Sequence, residues 1–156
     1  QWCTASAQYA PMARRILIVD DEPAIRFAVT EYFIAYGYRV DATEDASSAL
    51  QLLKRHVYDA VIADLRLGGA KEFGGLDVID AAYALAKRPC IVMLSADNSP
   101  ALVAAAKRRG ANFTLHKPLP LYELKGRISE FLVWRESGRL EEDYEPGQFS
   151  PTLPGG

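Results

Sequence analysis

Arg14-Arg15-Ile16-Leu17-Ile18-Val19-Asp20-Asp21-Glu22-Pro23 is the stretch that decides how this chain folds. Consecutive apolar residues read as a strand buried on both faces, the habit of a parallel sheet. Two aspartates end the run, and Pro23 suits the first turn of a helix. Ile25, Ala28, Val29, Tyr32, Phe33 and Tyr36 follow at helical spacing, with Gly37 at the end.

The same unit recurs along the chain. Apolar runs at Val40–Ala42, Ala60–Ala63, Ile91–Leu94 and Phe113–Leu115 predict four further strands. The runs at Val40 and Phe113 are short and mixed, which suits edge positions. Helical stripes run through Ala46, Ala49, Leu50 and Leu53, and through Leu76, Ile79, Ala82, Tyr83 and Ala86. Ser99-Pro100 opens another helix, which Lys107-Arg108-Arg109-Gly110 closes with basic residues and a glycine. The last stripe is Leu121, Leu124, Ile128, Phe131 and Leu132, weakened by Gly126. Five strands alternating with five helices predict an α/β fold, an open doubly wound parallel sheet covered on both faces. Chemistry in such sheets gathers outside the carboxyl ends of the strands.

Composition narrows the class. The chain has 156 residues, 49% of them hydrophobic and 24% charged, enough for one ordinary core. A net charge of −2 gives no overall pull toward nucleic acid or an anionic membrane. No apolar run approaches the ~18 residues a membrane span needs. Cys3 and Cys90 are too few for a disulfide framework or a zinc site, which points to a reducing, cytoplasmic compartment, with Cys90 buried and inert. The expected boundaries are an unstructured extension over 1–13, a folded domain over 14–135 and a disordered tail over 136–156. Met12 reads as a natural start, and nothing before it resembles a secretory signal. The tail carries Glu141, Glu142, Asp143 and Glu145 among prolines and glycines, without the apolar surface to fold.

Polar residues follow the apolar runs closely. Asp20 and Asp21 follow the first, Asp64 the third, Ser95 the fourth and Lys117 the fifth, so the fold brings them to one rim. Clustered carboxylates repel, and a divalent cation relieves that repulsion. Magnesium suits a few carboxylates, one carbonyl and several waters, with the Arg66 carbonyl as a backbone ligand. Lys117 offers a compact positive charge and Ser95 a hydroxyl donor toward a phosphoryl oxygen. A carboxylate nucleophile beside magnesium and a lysine is the equipment of phosphoryl transfer, with an aspartyl phosphate as product.

Asp20-Asp21-Glu22-Pro23 after Ile-Leu-Ile-Val, Asp64 after Ala-Val-Ile-Ala, Ser95-Ala96 after Met93-Leu94, and Lys117-Pro118 resemble the signature of bacterial response-regulator receiver domains. The resemblance covers about Arg14 to Trp134. It implies a flavodoxin-like (βα)5 fold with strand order 2-1-3-4-5, the order that chemotaxis receivers have. It also implies Asp64 as phosphoacceptor, Asp20 and Asp21 as magnesium carboxylates, Ser95 as the switch hydroxyl and Lys117 as the phosphate-pairing lysine. The implied donor is a phosphohistidine on a sensor histidine kinase or histidine phosphotransfer protein. The face of the fourth helix, fifth strand and fifth helix, with Lys107, Arg108, Arg109 and Arg127, is the implied surface for a downstream protein partner. A direct nucleic-acid or membrane partner is not expected. A stand-alone switch or relay, a phosphate sink and a truncated regulator stay open.

Three departures stand out. The family often has an aromatic residue three positions before the lysine, where this chain has Thr114; Phe113 replaces that ring only if the strand register shifts. The loop from Leu65 to Gly75 is longer than usual and carries Gly68 where the family has proline. Arg66 and Asp97, each two residues past a site residue, are expected to pair across the site and slow dephosphorylation. Two rivals share part of the pattern. A haloacid-dehalogenase-type phosphotransferase needs Asp-x-Asp after the first strand, whereas here the pair is adjacent. A flavin-binding module needs a small hydroxyl-rich phosphate loop where Asp20-Asp21-Glu22 repels phosphate.

Overall fold

The structure, a computed structural model, describes residues 13–67, 74–97, 99–118 and 120–138. The expectations for residues 1–12, 68–73 and 139–156 lie outside the described residues, while Glu136, expected to open the tail, is instead the last residue of the helix Leu121–Glu136. Strands β1 (Arg15–Val19), β2 (Arg39–Thr43), β3 (Ala60–Asp64), β4 (Cys90–Ser95) and β5 (Phe113–His116) alternate with helices α1 (Pro23–Ala35), α2 (Ala46–Arg55), α3 (Gly74–Tyr83), α4 (Pro100–Arg109) and α5 (Leu121–Glu136). All neighbouring strands pair in parallel, in the order β2-β1-β3-β4-β5. This is the flavodoxin-like order, with β2 and β5 at the edges as their mixed composition predicts.

The sheet is buried on both faces because each strand alternates between two cores. Leu17, Val19, Val61, Ala63, Ile91 and Met93 face one side, where Ala49 and Leu53 of α2, Val78 and Ile79 of α3 and Ala106 of α4 cover them. Ile16, Ile18, Ile62, Val92, Leu94 and Phe113 face the other, against Val29 and Phe33 of α1 and Leu124, Ile128 and Phe131 of α5. Each large side chain fully buried in this way contributes about 1.5–3 kcal/mol. Cys90 is buried in the second core, as its apolar run predicts.

Helix ends follow local chemistry. Pro23 opens α1, and Gly37 just beyond it takes a φ of 87° that a side chain would resist. Gly126 does not interrupt α5, which runs unbroken through it. Helix α3 stops at Tyr83, short of Ala86, the last residue of its apolar stripe. Asp45 caps α2 by accepting the Ser48 N–H at 2.7 Å, and this bond holds its carboxyl below the ordinary range. A lowered carboxyl contributes stability that is present above the unfolded value of about 3.9 and lost as pH falls through the folded value. Asp45→Ala is therefore expected to lower the thermal midpoint at pH 7. Its deficit against the parent should shrink as the pH drops into the carboxylate range, followed by thermal denaturation across an acid pH series.

Candidate functional site

The parallel register delivers one polar group from each inner strand to the same rim. Asp20 leaves β1 completely buried, its N–H donated to the Thr43 carbonyl at 3.1 Å. Its Oδ1 accepts the Glu22 N–H at 2.8 Å, and its carbonyl accepts from Arg26 at 2.8 Å. Asp64 closes β3 and is 6% exposed, with Oδ1 accepting the Arg66 N–H at 3.2 Å. Asp21 stands exposed beside them.

Lys117, just past β5, joins these carboxylates. Its backbone N–H donates to the Ser95 carbonyl at 2.9 Å, and the peptide to Pro118 is cis. Its Nζ lies 3.0 Å from Oδ2 of Asp20 and 3.0 Å from Oδ2 of Asp64, with Glu22 at 3.5 Å. Burial pushes the Asp20 carboxyl up from its ordinary value, with the Asp64 charge adding to the effect; the Glu22 N–H and Lys117 only partly offset it. For Lys117 burial acts downward, but the hydrogen bond to Asp64 and the attraction of the Asp20 carboxylate outweigh it and hold the ammonium above its ordinary value. The lysine therefore stays charged at neutral pH.

One ammonium does not balance this group. Asp20, Asp21 and Asp64 each offer an oxygen, and those oxygens all lie within 4.8 Å of one another. Oδ2 of Asp20 is buried and receives no aligned hydrogen bond despite its ion pair with Lys117. An all-oxygen donor set with surplus negative charge and an orphaned carboxylate oxygen fits a small, hard divalent cation.

Ser95 is 5% exposed at the end of β4. Its hydroxyl donates to the Asp97 carbonyl at 2.8 Å and accepts the Asp97 N–H at 2.9 Å. The Asp97 carboxylate in turn accepts the Ser99 N–H at 2.9 Å, just before α4. Across the rim, the Arg66 guanidinium reaches Asp97 at 3.4 Å, so the expected pair is present, with both side chains partly exposed.

Thr114 pairs with Met93 and Phe113 with Val92, so the register is not shifted. The Phe113 ring packs edge-on against Phe131 at 6.0 Å in the α1/α5 core and does not stand in for the missing ring. Alternation explains the outcome: adjacent strand residues face opposite sides of the sheet. On the Thr114 side a cavity of about 80 Å³ is lined by Met93, Ser95, Asp97, Val103 and Thr114. The basic residues of the α4-β5-α5 face are partly satisfied internally, Arg109 by Asp80 at 3.0 Å and Arg127 by Glu123 at 3.0 Å.

Three contacts escape the sequence reading. Glu22 reaches Lys117, Arg26 anchors the Asp20 carbonyl, and Asp97 holds Ser95 through its backbone. Only the first has a signal in the chain, the third acid directly after Asp20-Asp21.

Comparison with known proteins agrees with this geometry. Residues 16–129 match the family model described as "Response regulator receiver domain". MprA, a response regulator of Mycobacterium, is 31% identical over 78% of this chain and 51% of its own length. The regulatory protein VirG of Agrobacterium fabrum is 26% identical over 88% of this chain and 53% of its own. The chain thus spans about half the length of these curated relatives. A CheY-like receiver domain from Methanospirillum hungatei shares the fold with a TM-score of 0.74 at 24% identity, over 81% of this chain and 99% of that one. The chain belongs to the response-regulator receiver family, whose members are phosphorylation-dependent signalling switches.

The fold also packs closely against the backbone where β3 ends. A Cβ on Gly75 would meet the Asp64 carbonyl oxygen at 2.1 Å and Leu65 Cα at 2.7 Å, both backbone atoms that cannot swing away. Gly75→Ala is expected to destabilise the fold by about 1–3 kcal/mol, the usual cost of overpacking. Urea denaturation should show it, together with weaker divalent-cation stabilisation as the Asp64 backbone is displaced.

Proposed function

We propose that this chain accepts a phosphoryl group on Asp64 from a phosphohistidine of a sensor histidine kinase or histidine phosphotransfer protein. The reading is carried by one observation: the buried Asp64 carboxylate shares the Lys117 ammonium with Asp20 at 3.0 Å, inside an acidic group that fits a cation. A carboxylate oxygen of Asp64 attacks phosphorus, the P–N bond breaks, and the imidazole nitrogen keeps the electron pair. Asp20, Asp21, Asp64 and the Arg66 carbonyl would hold Mg2+, which supplies charge neutralisation on the phosphoryl oxygens. Lys117 pairs with one phosphoryl oxygen as Asp64 loses part of its own negative charge. Ser95 donates to another once its hydroxyl leaves the Asp97 carbonyl.

In this reading the protein is a switch that assists its own phosphorylation and dephosphorylation in the cytoplasm rather than an enzyme with a separate substrate. A downstream protein would read the α4-β5-α5 face, where Lys107 and Arg108 accompany the internally paired Arg109 and Arg127. Among the described residues no helix is long and apolar enough to cross a membrane.

Incubation with a small phosphodonor and magnesium tests the acceptor. Base-labile label is expected on the parent and absent from Asp64→Asn, and label that persists in the variant would sink the assignment. Chelating the metal should slow labelling on the order of 100-fold, the scale of losing several kcal/mol of charge stabilisation. In the family the positions of Arg66 and Asp97 border the path of the hydrolytic water, and here the two side chains pair at 3.4 Å. An exposed pair contributes roughly 0.2–1 kcal/mol, so Arg66→Ala should shorten the phosphate half-life about two- to fivefold. An unchanged half-life would remove the pair from the chemistry.

A further inference from the structure

The pole opposite the acidic rim, where the strands begin, carries the contrary charge. Three adjoining concavities of about 600, 870 and 270 Å³ open there, and Val57 and Lys87 line all of them. Val57, at the meeting point of all three, is 63% exposed. Arg39, Lys54, Arg55, Lys87, Arg88 and Arg135 surround it, against the carboxylates of Glu136 and of Asp59, whose Oδ2 accepts the Arg15 backbone N–H at 2.8 Å.

Some local charge is already matched. Arg14 pairs with Glu136 at 2.9 Å and Arg15 with Asp41 at 3.3 Å. Arg88 lies 3.7 Å over the Tyr83 ring, and Arg135 donates to the Arg88 carbonyl. Arg39, Lys54, Arg55 and Lys87 have no ion pair among the described residues. A chain of net charge −2 thus gathers unmatched cations at one end.

The matching anions follow directly in the sequence. Helix α5 ends at Glu136, itself on the wall of this depression, and Gly138 is the last residue described before the tail. After Arg139 and Leu140 come Glu141, Glu142, Asp143 and Glu145, four acids interrupted only by Tyr144 and outnumbering the single linker cation. At ~3.3–3.6 Å per extended residue, three to seven residues reach roughly 10–25 Å, the scale of the pole itself. A linker this short gives an effective concentration in the mM range, so modest attraction suffices.

We propose that the acidic segment Glu141–Glu145 docks in cis on the basic pole around Val57 and Lys87. The tail then neutralises a surface that would otherwise attract anionic polymers, and it leaves the phosphorylation rim open at the far end of the strands. This placement does not depend on the assignment of Asp64.

Zero-length carbodiimide cross-linking of the full chain, read by mass spectrometry, tests it. Lys87 and Lys54 are expected to join the tail acids within one chain at low ionic strength. Raising salt to about 0.5 M should cut that yield roughly fivefold through screening. Arg39→Glu combined with Arg55→Glu should do the same while leaving every cross-linkable group in place, with circular dichroism checking its fold. Tail cross-links that are absent, indifferent to salt, or equally abundant at Lys107 and Lys125 would overturn the proposal. So would cross-links that form mainly between isotopically light and heavy copies, which would make a second chain the occupant.

Discussion

A sheet buried on both faces has only its two ends on which to display polar groups. All five residues of β3 and all six of β4 are buried, as are Ile16–Val19 of β1. Parallel pairing then sends every strand's carboxyl end to one rim and every amino end to the other. The described residues are therefore polar in the geometric sense as well, with carboxylates at one extremity and a group of lysines and arginines at the other.

Within the acidic rim, burial and attraction work against each other. Taking Asp20 out of water costs free energy, and Lys117 repays only part of it because the same ammonium also serves Asp64. That incomplete compensation fits the site to a cation: the carboxylates are already assembled, and one buried oxygen lacks an aligned hydrogen bond. Close packing at Gly75 and the hydrogen bond from the Leu65 N–H to the Leu94 carbonyl at 2.8 Å hold the end of β3 in place.

Much of this was legible in the chain because the signals were local. Continuous apolar runs identified the strands, and polar residues immediately after them marked the rim, so Asp20, Asp64, Ser95 and Lys117 converge as read. The Arg66–Asp97 pair also followed from matching positions in two loops. What escaped depends on contacts between elements. Nothing in the run around Arg26 announces that its side chain folds back to the Asp20 carbonyl. Nor does the sequence say that Ser95 is engaged by the Asp97 backbone, since both bonds depend on the turn after β4. Phe113 shows the opposite case, where strand alternation alone decides that its ring faces the other core.

The two-way engagement of Ser95 with Asp97 has a mechanical consequence. The hydroxyl is both donor and acceptor to one residue, and that residue's carboxylate also ties down Ser99 and Arg66. Withdrawing the hydroxyl therefore trades away about 1 kcal/mol for each neutral hydrogen bond broken, against a stronger bond to a charged acceptor. In the proposed switch such an exchange would be close to even, and it would act on the turn before α4, where Ser95 and Asp97 are joined. The small void beside Thr114 adjoins that loop, since Ser95 and Asp97 line it as well, so in the proposed switch a departing Ser95 hydroxyl would leave a backbone engagement next to open space rather than displace an aromatic ring.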